Sequence, residues 1–121
     1  MARFRPSRLV QADLAQILAI NAERWGIESR RRYAAILAAA MRKVAANPKG
    51  PTTRARAELA PGIRSFHIQH ARAADPNAKV RRPVHILYYR AIAPELIEIA
   101  RVLHERMDPS RHLHEVSEDN D

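Results

Sequence analysis

Cysteine is absent, which excludes disulfides and thiolate metal ligands. Glycine occurs only as Gly26, Gly50 and Gly62, too far apart to form a phosphate-cradling loop, so no nucleotide cofactor is expected. Aromatic residues are 5% of the chain, so alanine and leucine must fill much of the interior. That composition favours helix over a large sheet. Lysine is confined to Lys43, Lys49 and Lys79, and the positive charge is carried mainly by arginine. The longest wholly apolar run, Ala34–Met41, is too short to cross a bilayer. The opening MARFRPSRLV lacks the apolar stretch of a signal peptide. These absences suggest a soluble cytoplasmic protein with no membrane partner.

What is present is an excess of positive charge. The 121 residues carry a formal net charge of +8, and the surplus lies in residues 1–64. Residues 65–121 are nearly balanced, and the stretch 115–121 is acidic and expected to fray. A basic surface attracts nucleic acid, acidic protein segments or anionic membranes, and composition does not choose among them. A chain of this length supports one core that buries roughly two-thirds of its unfolded surface, so residues 1–121 are expected to form a single domain.

Hydrophobic periodicity sets the order of elements. ARFRPS reads as a brief strand ended by Pro6, after which Ser7 is placed to cap a helix. Leu14, Ile17, Leu18, Ala22 and Trp25 share one helical face, and Gly26 is the stop. Tyr33, Ile36, Leu37, Ala40, Met41 and Val44 define a second helix that ends at Asn47–Pro51. The short link makes the helices antiparallel neighbours. Alternation then predicts strands at Ile63–Gln69, Val84–Arg90 and Leu96–His104, with a turn signal at Asp75–Asn77 and a closing turn or short helix. The expected fold class is α+β: an N-terminal strand, an antiparallel helical hairpin, and a three-stranded antiparallel meander covered on one face.

Several of these segments resemble the ParE toxins of the RelE/ParE superfamily. They are DLAQILAINAERWG (Asp13–Gly26), PGIRSFHIQH (Pro61–His70), RPVHILYYR (Arg82–Arg90) and IEIARVLHERMDPSRHL (Ile97–Leu113). The resemblance runs from about Arg5 to Leu113. It implies the RelE/ParE fold, a ParD-type antitoxin whose acidic segment wraps the toxin, and DNA gyrase as the target. Operator DNA would be reached only through the antitoxin. No cofactor and no catalytic residue are implied.

The rival reading is an mRNA endonuclease of the RelE kind, which shares the fold. Such chemistry needs a base for the 2′-hydroxyl, an acid for the leaving oxygen and cations for phosphate. The candidates are Arg64, His85, Tyr88, Tyr89, Arg90 and His104. Each also has an ordinary reading: the tyrosines as half-buried strand residues, the arginines as ion-pair partners, the histidine as structural. The RelE branch relies on a lysine-rich group near its site, and this chain has few lysines. A third reading is a member of the fold that has lost toxicity.

Two surfaces stand out for binding. Leu14, Leu18, Ile36 and Leu37 are expected to flank a groove closed by an antitoxin helix. Arg30, Arg31 and Arg32 at the start of the second helix add positive charge where the helix dipole disfavours it, which hints at an anionic partner. For the target, the segment Arg101–Leu113 offers Arg101, His104, Arg106, Arg111 and His112, although alternation also allows Arg101 to be buried against Glu98 or Asp108. The histidine pairs His67/His70 and His112/His114 match no metal-binding pattern, and no metal is expected.

Overall fold

The computed structural model describes residues 3–113; His114 and the acidic stretch 115–121 lie outside the described residues. Strand β1 spans Arg3–Pro6, helix α1 Arg8–Trp25 and helix α2 Ile27–Ala46. Strands β2 (Arg54–Ala55), β3 (Arg64–His67), β4 (His85–Ala93) and β5 (Leu96–His104) follow, with a 3-10 turn at Ile68–Ala71. The architecture is α+β of the RelE/ParE kind.

Ser7 does more than cap α1. Its Oγ accepts the Val10 N–H at 3.1 Å and donates to the Ala100 carbonyl at 2.9 Å, while its own N–H reaches Ile99 O at 3.0 Å. One residue therefore starts the helix and ties it to β5. At the other end, Gly26 alone joins α1 to α2. Its φ of 93° and ψ of 174° belong to a region essentially reserved for glycine. Its N–H closes α1 on Ala22 O, and its carbonyl opens α2 by accepting from Arg30 N–H.

The sheet order is β1-β5-β4-β3-β2, with β1 parallel to β5 and the remaining pairs antiparallel. The expected three-stranded meander thus gains β2, a two-residue edge strand that no alternation announces. The predicted strand at Ile63–Gln69 is shorter, because the chain turns into the 3-10 segment after His67. The β4 strand continues past Arg90 to Ala93.

Side chains on a strand alternate faces, so Leu87 and Tyr89 go one way and Ile86 and Tyr88 the other. Leu87 and Tyr89 join Phe66, Ile97 and Ile99 under Ile36, Leu37 and Val44 of α2, which form the main core. Tyr88 joins Ile63, Ala100, Leu103 and Leu113 in a smaller core on the opposite face. A bulge makes both possible: Tyr88 pairs with Arg101 but Tyr89 with Ile99, leaving Ala100 as the extra residue.

Candidate functional site

Helix α1 also serves the free edge of β5. Beyond Pro6 no strand lies on that side among the described residues, and Asp13 takes over. Its carboxylate accepts the Val102 N–H at 3.1 Å and grips Arg101 through two bonds of 2.8 and 2.9 Å. Arg101 is only 9% exposed. A guanidinium held by a carboxylate on two parallel bonds is fixed in place. Arg101 is therefore corrected from an outward target contact to a buried positioning group, and its carboxylate partner is Asp13 rather than Glu98 or Asp108.

This ion pair stands in the wall of a cleft of about 970 Å³ between the α1–α2 corner and the adjoining end of the sheet. Ile17, Ile20, Val80, Val84, Val102 and Met107 give it apolar walls, and Arg24, Arg32, Lys79, Arg81 and Arg82 surround it with positive charge. Asp13 is the sole carboxylate among the described lining residues, and Arg101 already occupies it. Trp25 stands at the rim, 71% exposed, near Ile20 and Met107, which are also open. Its position in the apolar stripe of α1 suggested burial. The chain reverses at Gly26, so the last turn of α1 overhangs the sheet instead of lying on it.

On the cleft floor three rings stand edge to face: Tyr33 against His85, and His85 against His104, each pair with centroids 5.5 Å apart. The Tyr33 hydroxyl bonds His85 Nδ1 at 2.5 Å and accepts the Val84 N–H at 3.1 Å. Burial pushes the Tyr33 hydroxyl up to about 12. Burial, with the neighbouring His104 adding to it, pushes His85 down to about 4, so its imidazole is neutral at pH 7.

The other nuclease candidates are elsewhere. Arg64 donates to Pro48 O at 3.0 Å and to Thr53 Oγ1 at 2.8 Å, and Tyr89 donates to the same Pro48 carbonyl at 2.5 Å. These bonds fix the loop after α2. Tyr88 is buried in the smaller core with the Arg56 guanidinium 6.0 Å from its ring centre. Arg90 pairs with the buried Glu98 at 3.4 Å, and Arg5 reaches Glu98 at 3.5 Å. Of the six, His85 and His104 alone come together in the cleft.

The expected binding residues also divide. Ile36 and Leu37 are 0% and 2% exposed and belong to the core, so they are corrected from groove residues to packing residues. Leu14 and Leu18 pack partly buried against that core. Arg30 and Arg31 are exposed, Arg31 facing Glu28 at 3.5 Å, while Arg32 lines the cleft. His104 and His112 line it too, whereas Arg106 and Arg111 are exposed outside it. Sequence reasoning missed Asn21, Tyr33 as a polar group, and the basic loop around Lys79–Arg82. The last was visible as a polar and basic stretch without a place in the fold, since nothing local tells a loop which cleft it borders. Among the described residues no three histidines or carboxylates gather as a metal site, and no helix is long and apolar enough to cross a membrane.

Residues 4–109 match the family described as ParE toxin of type II toxin-antitoxin system, parDE. Toxin ParE1 of Mycobacterium tuberculosis is 33% identical over 112 residues, covering 93% of this chain and 98% of that protein. Toxin ParE1 of Caulobacter vibrioides is 32% identical over 113 residues, covering 93% and 99%. With the strand–hairpin–sheet order of the fold, these matches establish that the chain belongs to the ParE family of toxins of type II toxin–antitoxin systems, a membership that implies an antitoxin partner.

Proposed function

We propose that this protein, acting in the cytoplasm as a single domain, inhibits DNA gyrase by binding and is neutralised by a ParD-type antitoxin whose acidic segment fills the cleft. The observation that carries the antitoxin contact is the cleft itself: apolar walls, an exposed tryptophan at the rim and a surround of five cations. An open apolar patch of this kind is a liability on a small free chain and an asset for a partner helix. The net charge of +8 steers an acidic, initially disordered segment to the surface and speeds association. Burial of Trp25, Ile20 and Met107 then offsets the entropy lost when that segment orders.

Gyrase is engaged without bond making or breaking. In support, Arg64, Tyr89 and Arg90 are committed to loop and ion-pair contacts far from the histidines. His104 and His112, with the exposed Arg106 and Arg111 beside them, form the gyrase-facing surface. His104 and His112 also line the antitoxin's cleft, so antitoxin and gyrase compete for the same end of the toxin. Operator DNA is contacted by the antitoxin alone.

A supercoiling and DNA-cleavage assay with antitoxin-free protein tests this reading. Loss of supercoiling with accumulation of cleaved DNA is expected, and an unaffected gyrase at large molar excess contradicts it. The convergence of His85 and His104 in a cleft also lined by Arg82 favours one second reading, cleavage of mRNA on the ribosome. In that case His85→Ala and His104→Ala each abolish RNA cleavage on translating ribosomes.

A further inference from the structure

Three histidines at this end of the sheet share a polar arrangement. His67 Nδ1 accepts the Gln69 N–H, and His104 Nδ1 accepts the Arg106 N–H, each at 3.1 Å. A ring nitrogen that accepts carries no proton, so each ring keeps its proton on Nε2. His85 reaches the same state through Tyr33. We assign the Tyr33 proton to His85 Nδ1, an arrangement that leaves the Tyr33 oxygen free to accept from Val84.

His67 passes its Nε2–H to Glu105 at 2.8 Å. His85 and His104 have no such acceptor among the described residues. Neither Nε2 is a buried atom without a partner, and both residues are partly exposed. The two residues are register partners on β4 and β5 and both line the cleft. The floor therefore presents two neighbouring N–H donors. Asn21, on the wall of the same cleft, has the opposite need: its Oδ1 is buried without a donor. A buried carbonyl oxygen left in this way is unfavourable unless a ligand supplies the missing N–H.

We propose that His85 and His104 form a carboxylate notch, their Nε2–H groups gripping one Asp or Glu side chain of the antitoxin's acidic segment while Asn21 Oδ1 takes an N–H from that segment. The proposal rests on the antitoxin reading above and names the contact that orients it. Two donors side by side match the two oxygens of a carboxylate. The apolar walls suit peptide side chains, and the Asn21 acceptor asks for a donor that a phosphate diester lacks. Asp13 does not compete, because Arg101 already holds it. Arg32 and Arg82 at the cleft favour a negative ligand, and the neutral His85 supplies a donor instead of a full charge.

The test follows the side-chain Nε2–H signals of 15N-histidine-labelled toxin. It is titrated with the antitoxin encoded beside it and, in separate arms, with sodium acetate and with inorganic phosphate. The His85 and His104 signals move downfield and become protected in the antitoxin complex, acetate produces the same change weakly, and His67 stays in place. His104→Phe keeps the ring's bulk without its donor; it weakens antitoxin binding about tenfold, the effect of losing one charge-assisted hydrogen bond. Its unfolding midpoint stays near that of the unaltered protein. Antitoxin that binds tightly while both signals stay unmoved overturns the notch and leaves the antitoxin reading standing. Antitoxin that does not bind at all overturns both. A response to phosphate alone reassigns the histidines to a phosphate ligand and overturns the carboxylate claim.

Discussion

The two ends of β4 carry similar residues in different states. At one end Tyr89 and Arg64 converge on the Pro48 carbonyl, Arg64 continues to Thr53, and Thr53 closes on Gly50 O at 2.7 Å. Their polar groups are used within the chain. At the other end, about 13 Å along the strand, the Nε2 atoms of His85 and His104 have no hydrogen-bond partner among the described residues, Asn21 keeps a bare acceptor, and Trp25 stands in solvent. A tyrosine and an arginine look as catalytic on paper as two histidines do. Apart from Arg90 Nε, which is buried without an acceptor next to Tyr89, polar satisfaction separates them: the closed end holds the fold, and the open end is left for a partner.

The largest expected effect falls on the wall between sheet and cleft. Asp13→Ala removes the carboxylate that grips the buried Arg101 and accepts the Val102 N–H. Denaturant unfolding should show a loss of about 3 kcal/mol, as expected for breaking a buried ion pair by removing one partner. A loss below about 1 kcal/mol would mean that the pair is solvated and the wall soft.

Trp25→Ala separates the two ends most sharply. Stability should change by less than about 0.5 kcal/mol, as for an exposed residue. Antitoxin affinity measured by calorimetry should fall by about 2 kcal/mol, as for an aromatic anchor. Unchanged affinity would remove the rim from the interface.

Acid should weaken the open end. His85 is held near 4 against an ordinary 6.5, so the unfolded chain takes up a proton first as the pH falls. The contribution is complete above pH 6.5 and is lost as the pH drops through that window toward 4. After allowance for solvent screening of the partly open ring, the loss is about 2 kcal/mol. His85→Gln should flatten that part of the stability–pH curve, and an unaltered curve would show that another group titrates there.

Tyr89→Phe is the smallest change and belongs to the closed end. It removes one bond to Pro48 O and should cost about 1 kcal/mol of stability. Antitoxin affinity should not move; a drop in it would blur the division between the two ends.

Much of the fold is readable from local chemistry. The Ser7 cap, the Gly26 corner, the stripe from Tyr33 to Val44 and the alternation in Val84–Arg90 and Leu96–His104 each have a short-range signal, and each forms, with β4 shifted to His85–Ala93. Strand β2 has none, because a two-residue strand has no period to read. The site is harder for the same reason. Asp13 and Arg101 are 88 positions apart in sequence, as Tyr33 and His85 are 52, and no spacing rule links such residues. Ile36 and Leu37 were misplaced because a wide apolar stripe does not say which part meets the sheet. Trp25 was misplaced because the overhang of a helix end depends on where the chain turns next.

Hydrogen exchange of the toxin with and without its antitoxin tests the division between the two ends most directly. The account predicts new protection at residues 20–25, 79–86 and 103–107, and none in the loop 47–53 or at Arg64. Protection confined to that loop and β3, with the cleft unchanged, would contradict it.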